Sequence, residues 1–144
     1  MDVKTILNPK WWLLAFGVLF LLAGLSNYLG AEGSADTAYP GDYTARDVFY
    51  EQTFGLFTMV AATLAIVTSL NVSGRGLSIL SMASSGAMMA FMVLHYMAGE
   101  NVNYGFNDPV ILGVVLSLLA LLGIAGFLHP VSYTHLRAHE TTPH

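Results

Sequence analysis

The chain contains no cysteine and few charged residues. Without cysteine it cannot form disulfides, thiolate metal sites, iron–sulfur clusters or a cysteine nucleophile. Only 10% of its 144 residues are charged, against about 25% in soluble domains. The net charge of −4 predicts neither a nucleic-acid partner nor attraction to anionic lipid. Phosphate-binding, dinucleotide, serine-hydrolase and zinc-protease motifs are also missing, so we expect no enzymatic activity.

Apolar residues dominate the rest of the sequence. They make up 55% of the chain, and the mean hydropathy is +0.61. Crossing a bilayer takes about 20 consecutive apolar residues in a helix. The apolar runs are continuous rather than alternating, which favours helices over barrel strands. We therefore predict an all-α integral membrane four-helix bundle in one domain, residues 1–129, with helices at about 11–28, 45–70, 77–98 and 110–128.

The basic residues predict the orientation of this bundle. Lys4 and Lys10 precede the first span and Arg75 lies between the second and third, whereas the other two connections hold mostly acidic residues with Arg46. By the positive-inside rule, we expect both termini in the cytoplasm and the acidic connections outside a cell membrane.

Local signals mark where the helices begin and turn. Thr44 and Asp47 have the spacing of a capping box, so the second helix should begin outside the membrane. Pro109 has the position of a first helical residue in the fourth span. The glycines of "SGRG" favour a tight turn that makes the second and third helices an antiparallel hairpin. We favour a solvated acidic loop for the outer connection, residues 30–54, which contains Asp47 and Glu51.

Small residues recur along the spans at intervals that favour close helix packing in lipid. The pairs and stripes are Ser81 with Ser85, Gly86 with Ala90, Gly17 with Gly24, and Gly113 with Ser117 and Ala120. The third helix is richest in them, so we expect it at the centre of the bundle. The same small-residue seams are candidates for binding a protein partner or a second copy of the chain.

His95 is the only ionisable side chain well inside a predicted span, which makes it a candidate functional residue. Together with Tyr96 and Glu100 it forms a possible polar cluster that handles a proton, a metal or a quinone near the outer interface. Haem ligation needs two histidines at similar depth, and His129 lies at the other end of the bundle. We therefore predict no haem and no other cofactor.

A metal site at His95 has one further argument. Met88 and Met92 share a helical face with it, and two thioethers with an imidazole would suit copper(I). The alternative is that the methionines fill gaps in a packed interface and that the histidine bonds to a neighbour. We favour this alternative and predict no bound metal.

The acidic and aromatic residues at the start of the second helix suggest a docking surface. Asp47 and Glu51 stand four residues apart on one helical face, with Tyr50 beside them. Exposed tyrosines often anchor protein interfaces. We therefore expect Asp47, Tyr50 and Glu51 to contact a protein partner.

The second span begins with Arg46, Phe49, Tyr50 and Gly55 and continues as "GLFTMVAATLAIV". With a glycine-spaced first span before it and a close hairpin after it, this order of parts resembles the DoxX-like small four-helix membrane proteins, over residues 11–128. The resemblance implies an accessory role, because some members accompany quinone-linked oxidoreductases. It assigns no functional residue here. Our expectation is a non-catalytic membrane protein or accessory subunit, and the alternative is a redox- or transport-linked component that uses His95.

The C-terminal segment differs abruptly from the spans. "VSYTHLRAHET", Val131–Thr141, resembles residue for residue the translation of a transposase sequencing adapter. We therefore expect residues 130–144 to be non-native and the source to be metagenomic. The histidines of this tail, His135, His139 and His144, would then form no metal site, and the native C-terminus would lie beyond this sequence.

Overall fold

The computed structural model describes residues 3–129, and within them it contains six helices and no strand. The helices are α1 (Val3–Ile6), α2 (Pro9–Leu29), α3 (Ala31–Ala38), α4 (Ala45–Asn71), α5 (Gly74–Glu100) and α6 (Pro109–Phe127). The four long helices are the four that the sequence predicts, and each is long and apolar enough to cross a membrane. The adapter-like tail lies outside the described residues.

The distribution of side chains is that of a protein whose solvent is lipid. Large apolar side chains cover the outside of the long helices, with Leu19 61%, Phe57 71% and Leu64 63% exposed. Ser69 and Ser81 are the largest fully buried side chains among the described residues. Water would strongly disfavour so much exposed apolar surface, whereas lipid tails accept it. The fold is therefore that of a multi-pass membrane protein.

Helices α2 and α4 form the first of two close pairs. They approach through glycines. A Cβ atom added to Gly24 would lie 2.7 Å from the carbonyl oxygen of Gly55, and one added to Gly17 would lie 2.6 Å from Cγ1 of Ile66. The spaced glycines of the first span thus serve helix packing, as the sequence predicts.

Helices α5 and α6 form the second close pair, and serines line their contact. The hydroxyl of Ser85 donates to the carbonyl oxygen of Leu119, and the hydroxyl of Ser78 donates to that of His129, both at 2.6 Å. Ser81 lies between them, fully buried, and its hydroxyl has no hydrogen-bond partner among the described residues.

Two expectations about helix arrangement are wrong. Helix α5 is not at the centre of the bundle, because its main neighbour is α6. Helices α4 and α5 do not form a closely packed hairpin, although only two residues join them. The reason is that α5 has small residues on two faces. Its serine face meets α6, whereas Gly86 and Ala90 are exposed.

The two helix pairs meet in a small apolar core contributed by α2, α5 and α6. Its buried members are Leu13, Phe16, Leu77, Leu119 and Leu122. Partly buried side chains of α4 and α5 pack around this cluster. The core therefore lies between the pairs.

The segment expected to be a solvated loop contains a helix, α3, so that expectation is wrong. Ala31, Ala35 and Ala38 are 0–2% exposed and follow each other at helical intervals. They form the buried face of α3, which packs mainly against α4. Alanine is only weakly apolar, so this periodicity stands out little in a polar segment.

The expected helix starts are confirmed. The carboxylate of Asp47 accepts hydrogen bonds from the backbone N–H and the hydroxyl of Thr44. The carboxylate of Asp108 accepts from the N–H groups of Val110 and Ile111 and so caps α6.

We call the end with α3 and residues 101–108 the acidic end. The end with α1, residues 72–75 and residues 128–129 is the basic end.

Candidate functional site

A buried carboxylate lies near the acidic end of the bundle. Because α4 begins at Ala45, Glu51 falls in its second turn and faces α2, and it is only 8% exposed. The side-chain amide of Asn27, on α2, donates to the Glu51 backbone oxygen at 2.9 Å and to its Oε2 at 3.0 Å. The hydroxyl of Tyr104 donates to Oε1 at 3.1 Å. Neutral donors therefore satisfy both carboxylate oxygens.

Tyr104 reaches Glu51 because residues 101–108 are joined to α3. The N–H of Gly105 donates to the carbonyl oxygen of Ala38 at 2.9 Å, and the rings of Tyr39 and Tyr104 meet edge to face with centroids 5.8 Å apart. Burial, and then the neighbouring charge of Glu51, raise the pKa of the Tyr104 phenol. Tyr104 therefore stays protonated and acts as a hydrogen-bond donor over the ordinary pH range.

His95 lies against the other side of the Tyr104 ring. Its imidazole is stacked between Phe54 of α4, with ring centroids 6.0 Å apart, and Phe91 of α5, at 5.7 Å. The Tyr104 ring meets it edge to face at 5.5 Å. Within residues 3–129, no hydrogen bond is made by either ring nitrogen of His95. The half-buried imidazole thus makes ring contacts but no hydrogen bond among the described residues, which leaves its nitrogens available to a ligand.

We refer to Asn27, Glu51, His95 and Tyr104 as the acidic-end cluster. It links α2, α4, α5 and the loop before α6, so it connects the two helix pairs. Its members offer a carboxylate, a phenol and an imidazole close to one another. The rings of Phe54 and Phe91, 43% and 45% exposed, form the side of the cluster that faces the membrane.

The predicted partners of His95 are placed elsewhere. The side-chain amide of Asn107 donates to the backbone oxygen of Tyr96 at 2.8 Å and lies 3.5 Å from Oε1 of Glu100. Asn107 therefore ties the end of α5 to the following loop. The structure brings His95 together with Tyr104, and among the described residues neither Tyr96 nor Glu100 makes a hydrogen bond or a ring contact with the imidazole.

The three predicted docking residues separate in the structure. Tyr50 is 58% exposed, and its ring lies 6.0 Å from that of the equally exposed Phe49. Asp47 is occupied in capping α4. Glu51 points into the bundle and is therefore unable to contact a partner at the surface. The surface next to α3 is thus aromatic, with the carboxylate of Glu51 behind it.

The metal candidates Met88 and Met92 are partly buried and pack against the apolar core. In the part of the chain that the structure describes, no three His, Asp or Glu side chains gather as metal ligands. His129 bonds to Ser78 and Ala125 at the basic end, far along the bundle from His95.

Sequence reasoning missed Asn27 and Tyr104. One signal for Asn27 was present, because it is an amide at the end of an otherwise apolar span, where an unsatisfied polar group is costly. Tyr104 had no such signal, since it lies in a polar loop.

Comparison of the chain with family models, curated proteins and solved structures finds no match. The DoxX-like resemblance therefore stays a prediction.

Proposed function

We propose that the protein is a small non-catalytic protein of the cell membrane, with both termini in the cytoplasm, that acts as an accessory subunit. Its partner would be another membrane protein or a second copy of the chain. The single observation that carries this proposal is the environment of Gly86, in the middle of α5.

Gly86 is exposed, and a Cβ atom added to it would meet nothing within 4 Å. A glycine inside a helix costs about 1 kcal/mol relative to alanine. Gly17, Gly24 and Gly55 offset this cost because each lies against a neighbouring helix. Gly86 has no such neighbour in the chain. A partner's helix packed on this face of α5 would give Gly86 the role that the other three glycines have, close contact between two helices.

Native mass spectrometry tests this proposal directly. We expect the protein in mild detergent to run in native mass spectrometry as a complex heavier than the 15.5 kDa chain. Gly86→Leu should release the monomer, because the added side chain blocks close approach. Ala61→Leu is the matched control, since Ala61 is also exposed but lies on α4. A monomer in the unmodified protein would exclude a second copy as the partner, and equal loss in both variants would contradict the role of Gly86.

The exposed aromatic pair at the acidic end supports docking outside the membrane as well. Phe49 and Tyr50 are exposed beside the rigid assembly of α3 and the 101–108 loop. Aromatic residues of this kind contribute strongly to protein interfaces. Tyr50→Ala should weaken the complex, whereas Phe57→Ala, at an exposed site deeper in the same helix, should have little effect on this contact.

Single-cysteine labelling would test the proposed orientation. A membrane-impermeant thiol reagent added to intact cells should modify Asp36→Cys, at the acidic end, and spare Ser73→Cys, at the basic end. The reverse pattern would place the termini outside the cytoplasm.

A redox- or transport-linked role is the second candidate function, and the available nitrogens of His95 favour it. In this role the imidazole would take up a proton, a metal or a quinone next to Tyr104. His95→Ala should then abolish the activity of the assembled complex, with His129→Ala as the control at the other end. An accessory subunit would instead assemble and support that activity unchanged. Metal analysis and optical spectra of the purified protein would separate the metal and haem versions from the others.

A further inference from the structure

A cavity of about 530 Å³ opens at the basic end. It lies between the start of α2, the turn from α4 to α5 and the end of α6. Polar residues contribute much of its lining, and none of the described residues that line it is acidic. These polar residues are Asn8, Lys10, Asn71, Ser73, Ser78 and His129. The volume falls in the range of small-ligand sites, about 300–1,000 Å³.

Several of the lining groups are already committed within the fold. The side-chain oxygen of Asn8 accepts from the backbone N–H of Lys10, and the hydroxyl of Ser78 donates to His129. The amide of Asn71 donates to Val67. These bonds shape the cavity wall but leave little capacity for a ligand.

Two lining groups keep donors available. The ammonium of Lys10 lies over the ring of Trp11 at 5.7 Å from its centroid, a contact that uses none of its N–H groups. The side chain of Ser73 makes no capping hydrogen bond at the start of α5. Lys10, a half-buried cation, and Ser73, a hydroxyl, therefore line one cavity to which no acidic residue among residues 3–129 contributes.

We propose that this cavity binds the phosphate group of an anionic ligand, either a lipid headgroup or free phosphate. Lysine binds phosphate as a point charge, and a hydroxyl adds a donor. Basic pockets between transmembrane helices bind anionic headgroups. Trp11 and Trp12 follow Lys10 directly in the sequence, and such rings favour the headgroup depth of a bilayer. This inference does not rest on the proposed function.

The net charge of the chain does not argue against such a site. The seven acidic residues between 32 and 108 all lie toward the acidic end, at the opposite side of the bundle from Lys10. Overall charge averages over both ends, whereas binding depends on the groups within a Debye length of the ligand.

Native mass spectrometry of the full chain tests the proposal. The protein in neutral detergent is titrated with phosphatidylglycerol, phosphatidylcholine or inorganic phosphate. We expect at least one of the two anionic probes to bind more tightly than phosphatidylcholine. Lys10→Gln should weaken that binding about fivefold, the factor that about 1 kcal/mol per lysine near an anionic surface implies. Lys4→Gln is the matched control, because it removes the same charge from the same end but does not line the cavity.

A second variant separates loss of the site from loss of the fold. Asn71→Trp fills the cavity without changing the charge, and the exposed position of Asn71 tolerates the larger ring. It should reduce binding as Lys10→Gln does. If phosphatidylglycerol binds and inorganic phosphate does not, the ligand is a lipid headgroup. If inorganic phosphate competes with phosphatidylglycerol, the site accepts free phosphate. Both results support the proposal. Equal effects of Lys10→Gln and Lys4→Gln, or unchanged binding to Asn71→Trp, would overturn it.

Discussion

Replacing Tyr104 with Phe removes one hydroxyl and leaves the ring that packs against His95 and Tyr39. The lost hydrogen bond is the one to Oε1 of Glu51, at 3.1 Å. Glu51 is buried, so water cannot readily replace the missing donor. Hydrogen bonds to charged groups contribute about 1.5–3 kcal/mol, and a buried acceptor left without its donor costs a similar amount. We expect the free energy of unfolding to fall by about 1–3 kcal/mol.

Tyr43→Phe is a closely matched control for this experiment. It also removes a tyrosine hydroxyl that donates to a glutamate, Glu32, but that pair is exposed at the surface with a distance of 3.3 Å. Surface substitutions usually change stability by less than about 0.5 kcal/mol. Reversible unfolding in mixed micelles, followed by circular dichroism, would measure both variants under the same conditions.

The pair of results decides whether burial of Glu51 matters. Equal small changes in the two variants would refute the reasoning, because the acidic-end cluster would then be no stronger than a surface contact. A double-mutant cycle with Glu51→Gln provides an independent check. If the phenol and the carboxylate interact directly, Tyr104→Phe should cost less in the Glu51→Gln background, with a coupling energy of about 0.5–3 kcal/mol.

Three further predictions concern packing, buried polar groups and pH. Gly24→Ala should destabilise the α2–α4 pair by about 1–3 kcal/mol in the same unfolding assay, because the new Cβ would lie 2.7 Å from a backbone oxygen. Gly86→Ala, in open space within the chain, should be neutral or stabilising for the monomer. Ser81→Ala should be neutral or stabilising because its hydroxyl has no partner in the described chain, whereas Ser85→Ala should cost about 1 kcal/mol. The pKa of Tyr104 is raised above its ordinary value of 10.0. The stabilising effect of the Tyr104 hydroxyl is therefore present below this ordinary value and is lost as the pH rises through the raised pKa. The stability curves of Tyr104→Phe and of the unmodified protein should converge at alkaline pH.

The candidate site illustrates how far the sequence reaches. His95 was identifiable because an ionisable residue inside an apolar run is rare and costly. Sequence spacing predicted Tyr96 and Glu100 as the neighbours of His95. The tyrosine ring that His95 contacts is instead that of Tyr104, in the loop that α3 holds in place. Spacing along one helix says nothing about a residue that arrives from another segment. Glu51 was assigned to the surface for the same reason.

Hydropathy and local capping were enough to predict four long helices that could span a membrane, their approximate bounds, and the starts of α4 and α6 directly after Thr44 and Asp108. These properties depend on neighbouring residues in the chain. The pairing of α2 with α4 and of α5 with α6, and the burial of Glu51, emerged only from the tertiary structure. In lipid, both faces of a helix are apolar, so no hydrophobic stripe marks the inner one. Which small residues meet a neighbour is then decided by how the helices rotate and pack against each other.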